Sequence, residues 1–133
     1  MKNKLLIVAS DYYKEITQNL IKGCLSKIKS KNKNVVVIKT PGTFEIPVVI
    51  SKNLKKFDGF IALGCVIKGE TPHFDFICNA VSNGIKDLNI KLNIPVIFGV
   101  LTDLNINQAI ARSSGDKNKG IECAIAAIQM ANL

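Results

Sequence analysis

The sequence has one histidine, His73, one arginine, Arg112, and no tryptophan. One histidine with four scattered cysteines, Cys24, Cys65, Cys78 and Cys123, offers no zinc-type ligand cluster, and no two cysteines form a close pair. One arginine argues against reading nucleic-acid bases, which leans on that side chain. No apolar run reaches the ~18 residues of a membrane-spanning helix. The basic lead at residues 1–4 runs straight into Leu5, Leu6, Ile7 and Val8, too short for a secretory signal and without a cleavage pattern. Walker-type, G-x-G-x-x-G and G-x-S-x-G motifs are all missing, so nucleotide-fingerprint binding and a serine triad have no support. These absences predict a soluble, cytoplasmic protein with buried free thiols and no metal or cofactor. Neither a membrane nor a nucleic acid is an expected partner.

What is present fits one domain over residues 1–133. Hydrophobic residues make up 47% of the chain, enough for a real core. The net charge of +8 comes from lysines spread along the chain, often beside asparagines. Genome composition produces that pattern as readily as nucleic-acid binding does. A basic surface still favours anionic small molecules, so phosphate binding stays open.

Strand and helix signals alternate. Short apolar runs at 5–9, 35–38, 60–67 and 96–101 read as strands, the last interrupted by Gly99. Between them lie helical stripes. Ile16, Leu20, Cys24 and Ile28 form the first, broadened by Ile21 and Leu25, and a polar link at 30–34 follows. A second helix carries Ile46, Val49, Ile50 and Leu54, with Pro47 in its first turn. A third carries Phe74, Ile77, Val81, Ile85 and Leu88 and ends near Lys91. Asn105 and Gln108 make a capping-box start for a short fourth helix reaching Arg112. The last helix spans about 118–132, with Ile121, Ala124, Ile125, Ile128 and Ala131 on its face. The alternation predicts a three-layer α/β/α fold. Its four-stranded parallel sheet has the flavodoxin-like order 2-1-3-4, with helices on both faces.

In such a fold ligands sit beyond the carboxyl ends of the strands, and the unusual residues fall there. Ser10, Asp11, Tyr12 and Tyr13 follow strand one, and Pro41, Gly42, Thr43, Phe44 and Glu45 follow strand two. Lys68, Gly69, Glu70, Thr71, Pro72 and His73 follow strand three. Thr71 before Pro72 reads as a hydroxyl cap with proline at the first helical position. His73 behind it is either a proton-transfer group near neutral pH or a water-facing residue on a capped helix. Tyr12 and Phe44 either stack on a flat ring or pack the rim. Glu45 answers the helix dipole or accepts hydrogen bonds from a polyol. Gly69 frees the backbone, and the 69–71 loop can hold a phosphate through N–H groups and a hydroxyl. Lys68, Arg112 and Lys119 are candidates for the completing cation. Arg112 is best because its planar fork suits phosphate. It lies beyond strand four, at the far end of a short helix, so either the chain's own Arg112 or a neighbouring subunit's reaches the loop, and the distance along the chain is a reason to suspect a site between subunits. Cys65 is the only thiol near the loop, and its apolar run marks it as buried rather than catalytic.

Several stretches together resemble the 6,7-dimethyl-8-ribityllumazine synthase family: residues 41–47 (PGTFEIP), 64–75 (ending GETPHFD), 95–102 (PVIFGVLT), 108–112 (QAIAR), 118–120 (NKG) and 130–133 (MANL). The resemblance covers nearly the whole chain in order. It implies condensation of 5-amino-6-(D-ribitylamino)uracil with 3,4-dihydroxy-2-butanone 4-phosphate to the lumazine, releasing phosphate and water, in riboflavin synthesis. By position it implies that Tyr12 stacks on the uracil and that Gly42, Thr43, Phe44 and Glu45 hold the ribityl chain and frame the ring. Val66 and Ile67 would meet the pyrimidine, and Gly69, Glu70 and Thr71 the phosphate. His73 would be the catalytic proton-transfer residue. Phe98, Arg112 and Lys119 would come from the adjacent subunit, Arg112 on the phosphate. Implied partners are the chain itself, as a homopentamer or a sixty-subunit icosahedral shell, the small-molecule substrates, and riboflavin synthase.

The sequence departs from the family pattern in four places. Lys68 stands where arginine is common, and Asp103 where a hydroxyl residue is common, adding negative charge near the phosphate end. The 113–118 loop is about one residue short, which leaves the position of Lys119 open. The chain starts almost at strand one, without the family's extra N-terminal strand, which favours the pentamer over the shell. An active synthase is the expectation. A catalytically silent ligand carrier would need neither His73 nor Arg112. A nucleic-acid scaffold is opposed by the scattered lysines.

Overall fold

Apolar runs too short for helices, and flanked by glycine, proline or polar residues, become four parallel strands. The computed structural model describes residues 4–30 and 34–132. The basic lead at 1–3, the middle of the polar link at 31–33 and the final Leu133 lie outside the described residues. The strands are β1 (Lys4–Ser10), β2 (Asn34–Thr40), β3 (Gly59–Ile67) and β4 (Val96–Asp103), in the expected order β2-β1-β3-β4. Leu5 stands opposite Val35 on one side and Gly59 on the other, and Ile67 stands opposite Asp103.

Residues of β1 alternate between two cores. Leu5, Ile7 and Ala9 pack under α1 (Lys14–Ser30), α4 (Ile106–Arg112) and α5 (Lys119–Ala131). Leu6 and Val8 pack over α2 (Ile46–Lys52) and α3 (His73–Leu92). Both faces of the sheet are therefore covered, which is why these strands read as unbroken apolar runs rather than alternating ones. Each fully buried leucine or isoleucine contributes about 1.5–3 kcal/mol.

Four local expectations are corrected. Helix α3 begins at His73, with Pro72 rather than Thr71 at the cap position. Pro72 sits at φ −71°, ψ 3°, so the chain is still turning there, and the Thr71 hydroxyl accepts a long 3.4 Å hydrogen bond from the His73 N–H. Gly99 does not interrupt β4. It pairs with Leu63, and a Cβ there would lie 2.7 Å from the Cys123 sulfur and from Leu63 Cδ2, so its bareness lets α5 dock. Leu54 falls in the turn after α2, still packed on that core. The buried face of α5 is Gly120, Cys123, Ala124 and Ala127, whereas Ile125 is 45% exposed.

That rotation of α5 has a backbone cause. A Cβ on Gly120 would collide with the Leu20 carbonyl oxygen of α1, so the two helices meet main chain to main chain. Asn118 seals the junction. Its Nδ2 donates to the Asn19 carbonyl (3.0 Å) and the Ser113 carbonyl (3.1 Å), and its Oδ1 accepts from the Gly120 N–H (2.7 Å). One side chain thus satisfies polar groups of α1, the end of α4 and the start of α5. The capping box also forms: Asn105 Oδ1 accepts from the Gln108 N–H at 3.0 Å, and Gln108 Oε1 accepts from the Leu104 N–H at 2.8 Å.

Asn118→Ala strands these buried groups and is expected to cost about 3 kcal/mol. Gly120→Ala forces the helices apart and is expected to cost about 2 kcal/mol or more. Chemical denaturation followed by circular dichroism measures both, and an Asn118→Ala chain as stable as wild type would refute the junction's role.

Candidate active site

In the order β2-β1-β3-β4 the connection from β1 runs one way, to β2, and the connection from β3 runs the other way, to β4, so a crevice opens between the ends of β1 and β3. A cleft of about 540 Å³ occupies that place. Tyr12 and Tyr13 follow β1 into it, and Gly42 leads into a 3-10 turn, Thr43–Glu45, that follows β2. Val66 and Ile67 are the last residues of β3. Gly69, Thr71 and His73 bring the loop and the amino end of the 20-residue helix α3, where free N–H groups and the dipole favour an anion. Tyr12 is 73% and Phe44 59% exposed, so neither aromatic is spent on packing the rim. Thr43 is buried, and the Thr40 hydroxyl donates to the Gly42 carbonyl at 2.7 Å, fixing the turn that presents Phe44 and Glu45.

Ten predicted residues line this cleft: Tyr12, Gly42, Thr43, Phe44, Glu45, Val66, Ile67, Gly69, Thr71 and His73. Glu70 does not line it and is exposed. Gly69 takes no positive φ, which corrects the expectation that it frees the backbone. A Cβ there meets no atom within 4 Å, so its bareness leaves space for a ligand. Among the described residues lining the cleft there is no lysine or arginine.

The cations lie elsewhere. Phe98, Arg112 and Lys119 meet in a second hollow of about 310 Å³ beside β4, with Val100, Leu101, Thr102, Lys117 and Glu122. The two cavities share none of their described lining residues. Arg112 pairs with Asp103, whose side chain is wholly buried, and Lys119 Nζ pairs with Glu122 Oε1 at 3.0 Å. Asp103 is thus the counter-ion of Arg112 within the chain rather than a stray negative charge.

Sequence reasoning missed Tyr13, Phe74 and Ile77 as cleft residues and Lys117 in the hollow. Tyr13 had a signal in its neighbour: the two tyrosine rings meet edge to face at 5.0 Å. Burial pushes the Tyr13 phenol above its ordinary value, helped by Tyr12 and Cys65. Phe74 and Ile77 were read as core positions; Ile77 serves both core and cleft, whereas Phe74 lines the cleft and belongs to neither core cluster. Cys65 lines the cleft, but burial and then the charge of Asp103 push its thiol up to about 12. It therefore stays protonated near neutral pH and is a poor nucleophile.

The sequence profile described as 6,7-dimethyl-8-ribityllumazine synthase matches residues 2–133. The chain belongs to this family. A 6,7-dimethyl-8-ribityllumazine synthase of Christiangramia forsetii is 48% identical over 134 residues, spanning 96% of this chain and 80% of that relative. In this member of the family the 113–118 loop contains a 3-10 turn, Gly115–Lys117, in which Gly115 takes φ 62°. Lys119 follows that turn and lines the same hollow as Arg112.

The thiols provide a check. Cys24 and Cys65 are raised to about 12 and Cys123 to about 11, chiefly by burial, against an ordinary 9.0. A raised folded value means their contribution to stability is complete below pH 9 and lost as pH climbs through 11 to 12. The denaturation midpoint is expected to fall over that range. At pH 8 a thiol reagent should label the half-buried Cys78 first and the other three only on unfolding. Rapid labelling of Cys65 in the folded chain would contradict this order.

Proposed function

We propose that the cleft between β1 and β3 is where this chain performs the reaction of its family. It condenses 5-amino-6-(D-ribitylamino)uracil with 3,4-dihydroxy-2-butanone 4-phosphate to 6,7-dimethyl-8-ribityllumazine, with release of phosphate and water. The observation that carries the site is its division. The exposed aromatics, Glu45, Gly69, Thr71 and His73 face one cleft without a cation among its described lining residues, while Phe98, Arg112 and Lys119 face a separate hollow. A dianionic substrate in the cleft needs cations that its own walls do not supply, so a second copy contributes its hollow. The assembly is a ring of such contacts, a homopentamer.

In this reading Tyr12 stacks on the uracil, and Phe98 of the neighbour frames the ring from the other side. Gly42, Thr43, Phe44 and Glu45 hold the ribityl chain, with the Glu45 carboxylate accepting from its hydroxyls. Backbone groups of Val66 and Ile67 meet the pyrimidine edge. The amino end of α3, with Gly69 and Thr71, takes the phosphate together with Arg112 and Lys119 of the neighbour, and the exposed Glu70 side chain points to no role in the cleft. A Schiff base forms, phosphate is eliminated and the ring closes. His73, at the mouth of the same helix, moves the protons. Most of the acceleration comes from holding two reactants in a productive arrangement.

Lumazine absorbance, followed with both substrates, tests the reading; folded protein with no rate above the uncatalysed condensation would sink it. Arg112→Ala is expected to raise the KM for the butanone phosphate by about tenfold or more, with much less effect on the uracil. Equal effects on both substrates would contradict the phosphate role. His73→Ala is expected to slow turnover by about tenfold, short of the ~10²–10⁴ of a reaction limited by proton transfer alone. Light scattering should give a pentamer, and an active monomer would exclude the shared site.

A further inference from the structure

Asp103 is the only charged residue in the buried set among the described residues. It ends β4 opposite Ile67, and its carbonyl accepts the Lys68 N–H at 2.9 Å, so its backbone is locked to β3. Its Oδ1 accepts from Arg112 Nη1. Its Oδ2 is buried without a hydrogen-bond partner among the described residues. A carboxylate so placed is a poor device for stability, because half its acceptor capacity is desolvated and unused. Its partner is not buried with it: the Arg112 side chain is 57% exposed and lines the hollow with Phe98, Lys117 and Lys119. Rigid sheet on one side and a solvated guanidinium on the other make the pair asymmetric. The carboxylate fixes the arginine, and the other guanidinium N–H groups make no hydrogen bond among the described residues.

We propose that Asp103 is a positioning residue for anion binding, holding the Arg112 fork so that its free donors are pre-aimed at a phosphate group. An arginine tethered at one nitrogen has already lost most of the rotamer freedom that binding would otherwise take, and this outweighs the partial loss of charge at an exposed, screened site. The proposal rests on the reading of Arg112 as a phosphate ligand, and the experiment separates the two.

Inorganic phosphate, as a competitive inhibitor of the assembled enzyme, is the probe. Asp103→Leu fills a similar volume and removes the acceptor. It is expected to raise both the phosphate inhibition constant and the KM for the butanone phosphate about five- to tenfold, the factor that goes with one rotamer-rich side chain. The KM for the uracil is expected to stay within about twofold and the thermal midpoint to hold or rise, since the stranded oxygen is gone. Asp103→Asn keeps an acceptor toward Arg112 and should recover most of the lost affinity. Asp103→Leu in an Arg112→Ala background should add no further loss. Asp103→Ala, which demands no space, carries the same test should the leucine variant not fold. Tighter phosphate binding in both the Leu and Asn variants would instead make Asp103 a charge brake and overturn the proposal. So would parallel loss of both substrates with a lower thermal midpoint, or unchanged phosphate binding in the Leu variant. Should Arg112→Ala itself leave phosphate binding intact, the reading of Arg112 fails first. Additive losses in the double variant sink the proposal while that reading stands.

Discussion

A sheet whose four strands all run one way has a single rim onto which every strand-to-helix connection opens. That constraint governs the rest of this molecule. Right-handed crossovers put α1, α4 and α5 on one face and α2 and α3 on the other, so neither face is left for a ligand. The rim remains, and the reversal of direction between β1 and β3 splits it open. Tyr12, Phe44 and His73, separated by up to 61 positions in sequence (73 − 12), meet there because each lies just past the end of a strand or at the start of a helix.

Along that rim charge is sorted. The crevice at β1 and β3 holds aromatics, hydroxyls, a carboxylate and the lone imidazole, and no cation among its described lining residues. The edge at β4 holds Arg112, Lys117 and Lys119, of which Arg112 and Lys119 are each tied to a carboxylate. Paired cations of this kind carry less indiscriminate attraction for anions than a bare positive patch. The division also explains why a chain with +8 net charge reads as an enzyme for an anionic substrate rather than as a nucleic-acid binder. The cations of the hollow are local and held in place, and most of the scattered lysines among the described residues are exposed.

Much of the fold was legible because burial on both sheet faces leaves continuous apolar runs, and because Ile16, Leu20, Cys24 and Ile28 repeat with helical period. Ten of the expected cleft residues converge for the same reason: strand ends can be read, and strand ends are where the cleft is. The failures share a cause as well. Ile125 looked internal by periodicity, but the roll of α5 is set by the main-chain contact of Gly120 with Leu20, and no one-dimensional period carries that. Gly99 looked like a breaker and is instead the gap into which Cys123 fits.

The sequence by itself determined the order of elements, the parallel sheet and the family, because hydrophobic period and motif spacing are local properties of the chain. It also determined which residue types were available: one imidazole, one guanidinium and a loop bare of side chain at Gly69. Only the tertiary structure decided the partnerships. That Asp103 neutralises Arg112, that Asn118 joins three helices, and that the cations stand in a different hollow from the imidazole depend on distances across the fold. Electrostatic and hydrogen-bonding energies change over a few ångströms, and a sequence records order but not separation.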